Sequence, residues 1–166
     1  MTKFTFRLFC FAALIVAALI HVSFGAAAQE GDKGQPVDQI SDPTAARVLD
    51  MFRFEPDLVR IPVGGRVTFN NSRGQHTVKS AKGMLPAGVE KISIANTSSE
   101  TRTLEVPGLY VLTCKVHGRY GMVMLIAVGE PETWIIPAST WTKTLSGRAG
   151  EKLAQLLERL EAKSAE

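Results

Sequence analysis

Cysteine and histidine are scarce in this chain, with two Cys and three His in 166 residues. Cys10 and His21 lie in the apolar N-terminal stretch, so the body of the chain keeps only Cys114, His76 and His117. A lone Cys forms no internal disulfide, which excludes a disulfide framework as the basis of the fold. There is no internal repeat and no low-complexity segment, which excludes solenoids and biased tracts. No twin arginine marks the N-terminus and no lipobox precedes Cys10, which argues against the Tat route and a lipoprotein. No stop-transfer pattern follows the apolar run.

What the N-terminus does contain reads as an export signal. Lys3 and Arg7 form a basic start, Leu8 to Ile20 is an unbroken apolar run, and Ala26-Ala27-Ala28 offers a small-residue cleavage site before Gln29. The run is short for a membrane span, so a retained anchor is the weaker alternative. The expectation is a Sec signal over 1–28, no membrane insertion after its removal, and a periplasmic destination in a Gram-negative cell. The chain from Gln29 onward suits one domain. Removing 1–28 takes away two basic residues and no acid, so the formal charge falls from +3 to +1. Between Arg73 and Arg119, seven basic residues accompany Glu90, Glu100 and Glu105, giving +4 there and −3 in the rest of the exported chain. No nucleic-acid-binding motif accompanies that charge, so nucleic acid is not expected as a partner.

Residues 29–48 read as a polar leader, with Gly31, Gly34, Pro36 and Pro43. From Met51 the pattern changes. Met51-Phe-Arg-Phe54, Leu58-Val-Arg-Ile-Pro62, Arg66-Val-Thr-Phe-Asn70, His76-Thr-Val-Lys79, Lys91-Ile-Ser-Ile94 and Ser99 to Glu105 read as short strands separated by turns. Leu109 to Thr113 and Val123 to Val128 complete the set, which suggests an antiparallel sandwich. The period then becomes helical. Leu153, Leu156, Leu157 and Leu160 share one face of a helix predicted over Glu151–Ala165. A shorter helix is expected over Pro137–Leu145, ended by Gly147. The apolar face should pack on the sandwich, because so short an isolated helix is marginal in water.

Between the last two strands stand Cys114, His117 and Met122, spaced Cys-x2-His-x4-Met, with His76 upstream. A thiolate, two imidazoles and a weak axial thioether compose the trigonal site of a blue-copper electron carrier. The thiolate suits copper and makes the Cu(II)/Cu(I) step accessible. His76, Cys114, His117 and Met122 are therefore the candidate ligands of one type 1 copper, with Met124 a core residue of the following strand.

The wider sequence resembles pseudoazurin. The likeness runs through Phe52-Arg-Phe-Glu-Pro56, Val63-Gly-Gly-Arg-Val-Thr-Phe69 and His76-Thr-Val-Lys-Ser-Ala-Lys-Gly-Met-Leu-Pro-Ala-Gly-Val-Glu90. It continues through Pro107-Gly-Leu-Tyr-Val-Leu-Thr-Cys-Lys-Val-His117 and Gly121-Met-Val-Met-Leu-Ile-Ala-Val-Gly129, covering about residues 50–130. The resemblance implies an all-β, Greek-key cupredoxin sandwich over 49–130 with a C-terminal α-helical extension over 131–166. It implies a monomeric electron carrier that is not an enzyme, exchanging electrons with periplasmic redox proteins such as copper nitrite reductase or c-type cytochromes. It also implies that the ring edge of His117 reaches the surface, framed by Met84, Leu85, Pro86 and Ala87. Lys79, Lys82, Lys115 and Arg119 would then form a basic rim that steers an acidic partner. Two positions depart from the family pattern. Thr77 stands where Asn is usual, which predicts a weaker side-chain link across the site, and Val116 stands where Pro is often found. The family's N-terminal strand finds no clear match before Met51.

Two other functions fit a copper ligand set less well. A single-copper oxidoreductase enzyme needs an open coordination position and a nearby acid, base or substrate pocket, and Met122 fills the axial place. A copper store or chaperone needs Met-rich or CxxC clusters, which the sequence lacks.

Overall fold

The computed structural model describes residues 34–135, 138–145 and 147–162. The expected signal over 1–28 lies outside them, as do the last residues of the predicted terminal helix. In chain order the elements are β1 (Gln35–Ser41), α1 (Val48–Met51), β2 (Phe52–Glu55), β3 (Leu58–Ile61), β4 (Gly65–Ser72), β5 (Val78–Ser80), β6 (Ser93–Ile94) and β7 (Thr97–Leu104). There follow β8 (Gly108–Thr113), a 3-10 turn at Gly118–Tyr120, β9 (Val123–Val128), a second at Pro131–Thr133, α2 (Ala138–Thr144) and α3 (Arg148–Ala162).

The strands form two sheets, ordered β2-β1-β4-β7 and β3-β9-β8-β5-β6. Most pairs are antiparallel, while β1 runs parallel to β4 and β3 parallel to β9. The expected sandwich is present, and every strand read from Met51 onward has a counterpart. Residues 35–41, read from the sequence only as part of the polar leader, are a strand. They form β1, which lies between β2 and β4 in the first sheet. The reason it escapes the pattern is Gln39, a polar residue buried on the inward face beside Val37. Its amide donates to Asn70 O at 3.0 Å and to Ser72 Oγ at 2.5 Å. A buried polar group with such partners is tolerated, but it breaks the apolar alternation on which a strand reading depends.

β8 and β9 are buried on both faces, and their side chains divide with the period of two that a pleated strand imposes. Tyr110, Leu112, Cys114, Met122, Met124, Ile126 and Val128 point between the sheets. Leu109, Val111, Val123, Leu125 and Ala127 point outward, against Leu153, Leu156, Leu157 and Leu160 of α3. The helical extension therefore packs on the sandwich as expected. Each buried leucine contributes roughly 2 kcal/mol of apolar transfer. The double covering holds the β8–β9 ladder, and hence the loop joining its ends, in a fixed frame.

Candidate metal centre

The loop from Cys114 to Met122 closes on itself through its backbone. Cys114 N–H donates to Met122 O at 3.2 Å, extending the β8–β9 ladder by one pair, and Thr113 Oγ1 donates to the same carbonyl at 3.1 Å. Gly118 N–H donates to Cys114 O at 2.9 Å and Met122 N–H to His117 O at 3.2 Å. Two glycines make this turn possible. A Cβ on Gly118 would lie 2.3 Å from Thr113 Oγ1, and Gly121 has a φ of +102°, with Leu49 of α1 packed where its Cβ would be. The spacing of Cys, His and Met is thus the length of one tight, hydrogen-bonded turn.

That turn brings Cys114 and His117 to His76, which follows the Arg73–His76 turn before β5. One ligand atom from each of the three lies within 4.8 Å of the others, and all three residues are buried. They are positioned to bind one metal ion. Cys114 Sγ is 3.7 Å from His117 Nδ1, and the two imidazoles approach at 4.9 Å between centroids, inclined by 58°. His76 Nδ1 is buried and has no hydrogen-bond partner. An orphaned buried nitrogen carries a desolvation cost, and a cation beside it would remove that cost. A thiol and two imidazoles are also the donor set that copper favours. The residues present therefore fit the metal.

Burial pushes His76 below the ordinary imidazole pKa. Burial also lowers His117, helped by the neighbouring His76 and Arg119 charges. Both effects favour the neutral ring, the form that offers a lone pair to a metal. Met122 is fully buried, and its backbone is tied to both Cys114 and His117.

Outer contacts hold each ligand. Ser41 Oγ lies 3.0 Å from His76 Nε2. Phe52 stacks on His117 with centroids 4.0 Å apart and planes within 1° of parallel. Thr77 Oγ1 accepts from Lys115 N–H at 2.9 Å and approaches Cys114 Sγ at 3.7 Å. The Thr77 hydroxyl thus bridges the His76 and Cys114 segments. The side-chain link at this position is made by threonine's hydroxyl.

His117 is 4% exposed, with Phe52 stacked on one face of its ring. Two further expectations change. Met84 is buried in the layer beneath α3, and Pro86 and Ala87 line a cavity with Pro107, Gly108 and Trp141. Gly108 is at the opposite end of β8 from Cys114, about 20 Å away at strand rise, so that segment does not frame His117. Lys79, Lys82, Lys115 and Arg119 do come together, but along a groove beside Cys114 whose other wall is Thr144, Leu145 and Ala149. Ser41 and Phe52 had no signal as site residues, since one lay in the presumed leader and the other read as a core strand residue. Pairing of β1 with β2 is what brings both to the metal centre.

Comparison with known proteins gives a consistent result. Residues 44–129 match the family model for copper binding proteins of the plastocyanin/azurin family, which leaves β1 outside the match. The chain is 35% identical over 105 residues to pseudoazurin from Paracoccus pantotrophus, covering 62% of this chain and 72% of that one. It is 38% identical over 77 residues to a Rhizobium leguminosarum bv. viciae relative, spanning 46% of this chain and about half (51%) of that protein's length. Native pseudoazurin from Hyphomicrobium denitrificans superposes with a TM-score of 0.58 at 24% identity, over 75% of this chain and 96% of the other, a likeness of fold.

Proposed function

Because this chain belongs to the plastocyanin/azurin family of copper-binding proteins, and within it to the pseudoazurin cupredoxins, we propose that it is a periplasmic carrier shuttling single electrons between redox proteins. As an electron-transfer cupredoxin it is not an enzyme. The bound copper supplies the one-electron Cu(II)/Cu(I) couple. In this reading Cys114 would give a thiolate, His76 and His117 neutral imidazoles through Nδ1, and Met122 a thioether to hold the copper. With Nδ1 engaged, His76 keeps its proton on Nε2 and donates it to Ser41 Oγ. The double covering of β8 and β9 holds the donors in one arrangement, which favours rapid exchange because little has to move. Residues 1–28 would direct export, and among the described residues no helix is long and apolar enough to cross a membrane. The exported chain acts as a monomer, and its partners are acidic periplasmic redox proteins, such as a copper nitrite reductase or a c-type cytochrome.

The observation that carries this reading is the cluster of three buried donors within 4.8 Å, one with an orphaned nitrogen. The test is reconstitution with one equivalent of Cu(II). An intense visible thiolate-to-copper band with reversible voltammetry is expected. A colourless adduct, or slow turnover of a small oxidant, would contradict the carrier role.

A further inference from the structure

Ser41 and Phe52 are direct partners in the β1–β2 ladder, and each touches a different imidazole of the metal centre. Ser41 Oγ meets His76 Nε2 at 3.0 Å, on the side of the ring away from the orphaned Nδ1. Phe52 lies flat on His117 at 4.0 Å, itself flanked by Tyr120 at 5.6 Å, with Arg119 5.0 Å from the Tyr120 ring centroid. Arg53, next to Phe52, donates to Asp50 O at 2.9 Å and pairs with Asp42 and Glu55, so the hairpin carrying the two residues is tied on its outer side. Leu49, in the same hairpin, packs against the Gly121 turn of the metal loop. One hairpin therefore reaches both histidines and the loop that presents them.

We infer that the Ser41–Phe52 pair is a clamp that sets the orientation of both imidazoles. Ser41 and Phe52 are thus positioning residues of the centre. Ser41 holds the Nε2 edge of His76 so that Nδ1 faces the metal centre, while Phe52 limits rotation of His117 and denies water one face of its ring. Groups that orient metal-binding histidines from outside alter metal retention by about 10- to 100-fold when removed. A stacked ring acts on orientation through its face. Leucine in place of Phe52 would keep apolar cover but lose the flat face, whereas tyrosine would keep it. The inference rests on the copper reading for its consequence, but its geometry can be tested on the metal-free chain.

The experiment is proton–nitrogen NMR of the metal-free protein, followed by copper release to a chelator, for the parent, Ser41→Ala, Phe52→Leu and Phe52→Tyr. In the parent, His76 should carry a slowly exchanging proton on Nε2, and His117 ring protons should be displaced upfield by the Phe52 ring current. Ser41→Ala should speed exchange of the His76 proton tenfold or more. Phe52→Leu should return the His117 signals to ordinary positions, and Phe52→Tyr should retain the displacement. Copper should then leave Ser41→Ala and Phe52→Leu about tenfold faster than the parent, with Phe52→Tyr behaving as the parent. Undisplaced His117 signals in the parent, or a His76 proton unaffected by Ser41→Ala, would overturn the clamp. Copper release at the parental rate in both variants would do the same. A parent that binds no copper would sink the carrier reading, and the NMR signals alone would then decide the clamp.

Discussion

Thr77 Oγ1 sits between two groups of the metal loop, accepting from Lys115 N–H at 2.9 Å and lying 3.7 Å from Cys114 Sγ, to which it donates. A donor aimed at a thiolate withdraws charge from it and so favours the reduced metal, since hydrogen bonding around the cysteine sulfur tunes the potential of such sites. Thr77→Val keeps the shape and removes the hydroxyl. A net hydrogen bond is worth about 1 kcal/mol, or about 40 mV for a one-electron couple. The variant should therefore show a potential lower by about that amount in cyclic voltammetry, with copper still bound. A potential equal to the parent's would show that the hydroxyl serves only the Lys115 backbone.

Cys114 is the one free cysteine among the described residues, and it is buried at the meeting point of β8, the metal loop and the His76 turn. Cys114→Ser should give a colourless or pale, poorly reversible copper site, and Cys114→Ala should abolish the blue colour, because the visible band needs a copper–thiolate bond. Absorption spectra after reconstitution decide this. An intensely blue serine variant would remove Cys114 from the ligand set.

Asp57 anchors the helical extension. Its carboxylate receives Lys152 Nζ at 2.6 Å and Arg159 Nη1 at 2.8 Å, both from α3, and Lys152 is almost wholly buried. Removing one member of a buried ion pair leaves an uncompensated charge, at a cost of about 3 kcal/mol. Asp57→Ala should therefore lower Tm by about 10 °C. Lys152→Met should cost much less, since Arg159 still satisfies Asp57. Thermal unfolding followed by circular dichroism separates the two, and no loss in either variant would show that the helix is held by its leucines alone.

The sequence reveals the centre because its ligands come from a short local spacing with few competitors. Cys114, His117 and Met122 occupy one turn, and His76 is the remaining imidazole outside the expected signal. The strands of β8 and β9 and the leucine face of α3 are legible for a similar reason, since period and burial coincide there. β1 is not legible, because its inward face holds Val37 and Gln39 rather than two apolar residues. Nor is the cover over His117, since the Phe52 stack joins residues 65 positions apart through strand pairing that periodicity does not encode. The pairing of Lys152 with Asp57 is hidden in the same way: a lysine on an amphipathic helix reads as solvent-facing until its distant carboxylate is known.

The four cations beside Cys114 lead to the last prediction. Lys79, Lys82, Lys115 and Arg119 line one groove with Cys114, so an acidic partner seated there would approach within one residue of the proposed thiolate ligand. Exposed charges act on association rate and its salt dependence more than on the transfer step itself. They are screened over about 8–10 Å at ordinary ionic strength. Raising salt should slow the bimolecular rate with an acidic redox protein. Reversing Lys82 and Lys115 to Glu should slow it several-fold at low salt and flatten its salt dependence, with the copper spectrum unchanged. Stopped-flow mixing with a candidate reductase across a salt series checks both. If partners met the protein over the covered histidine instead, the Lys82 and Lys115 reversals would leave the rate as it was, and a flat salt response in the parent would rule out steering by the groove.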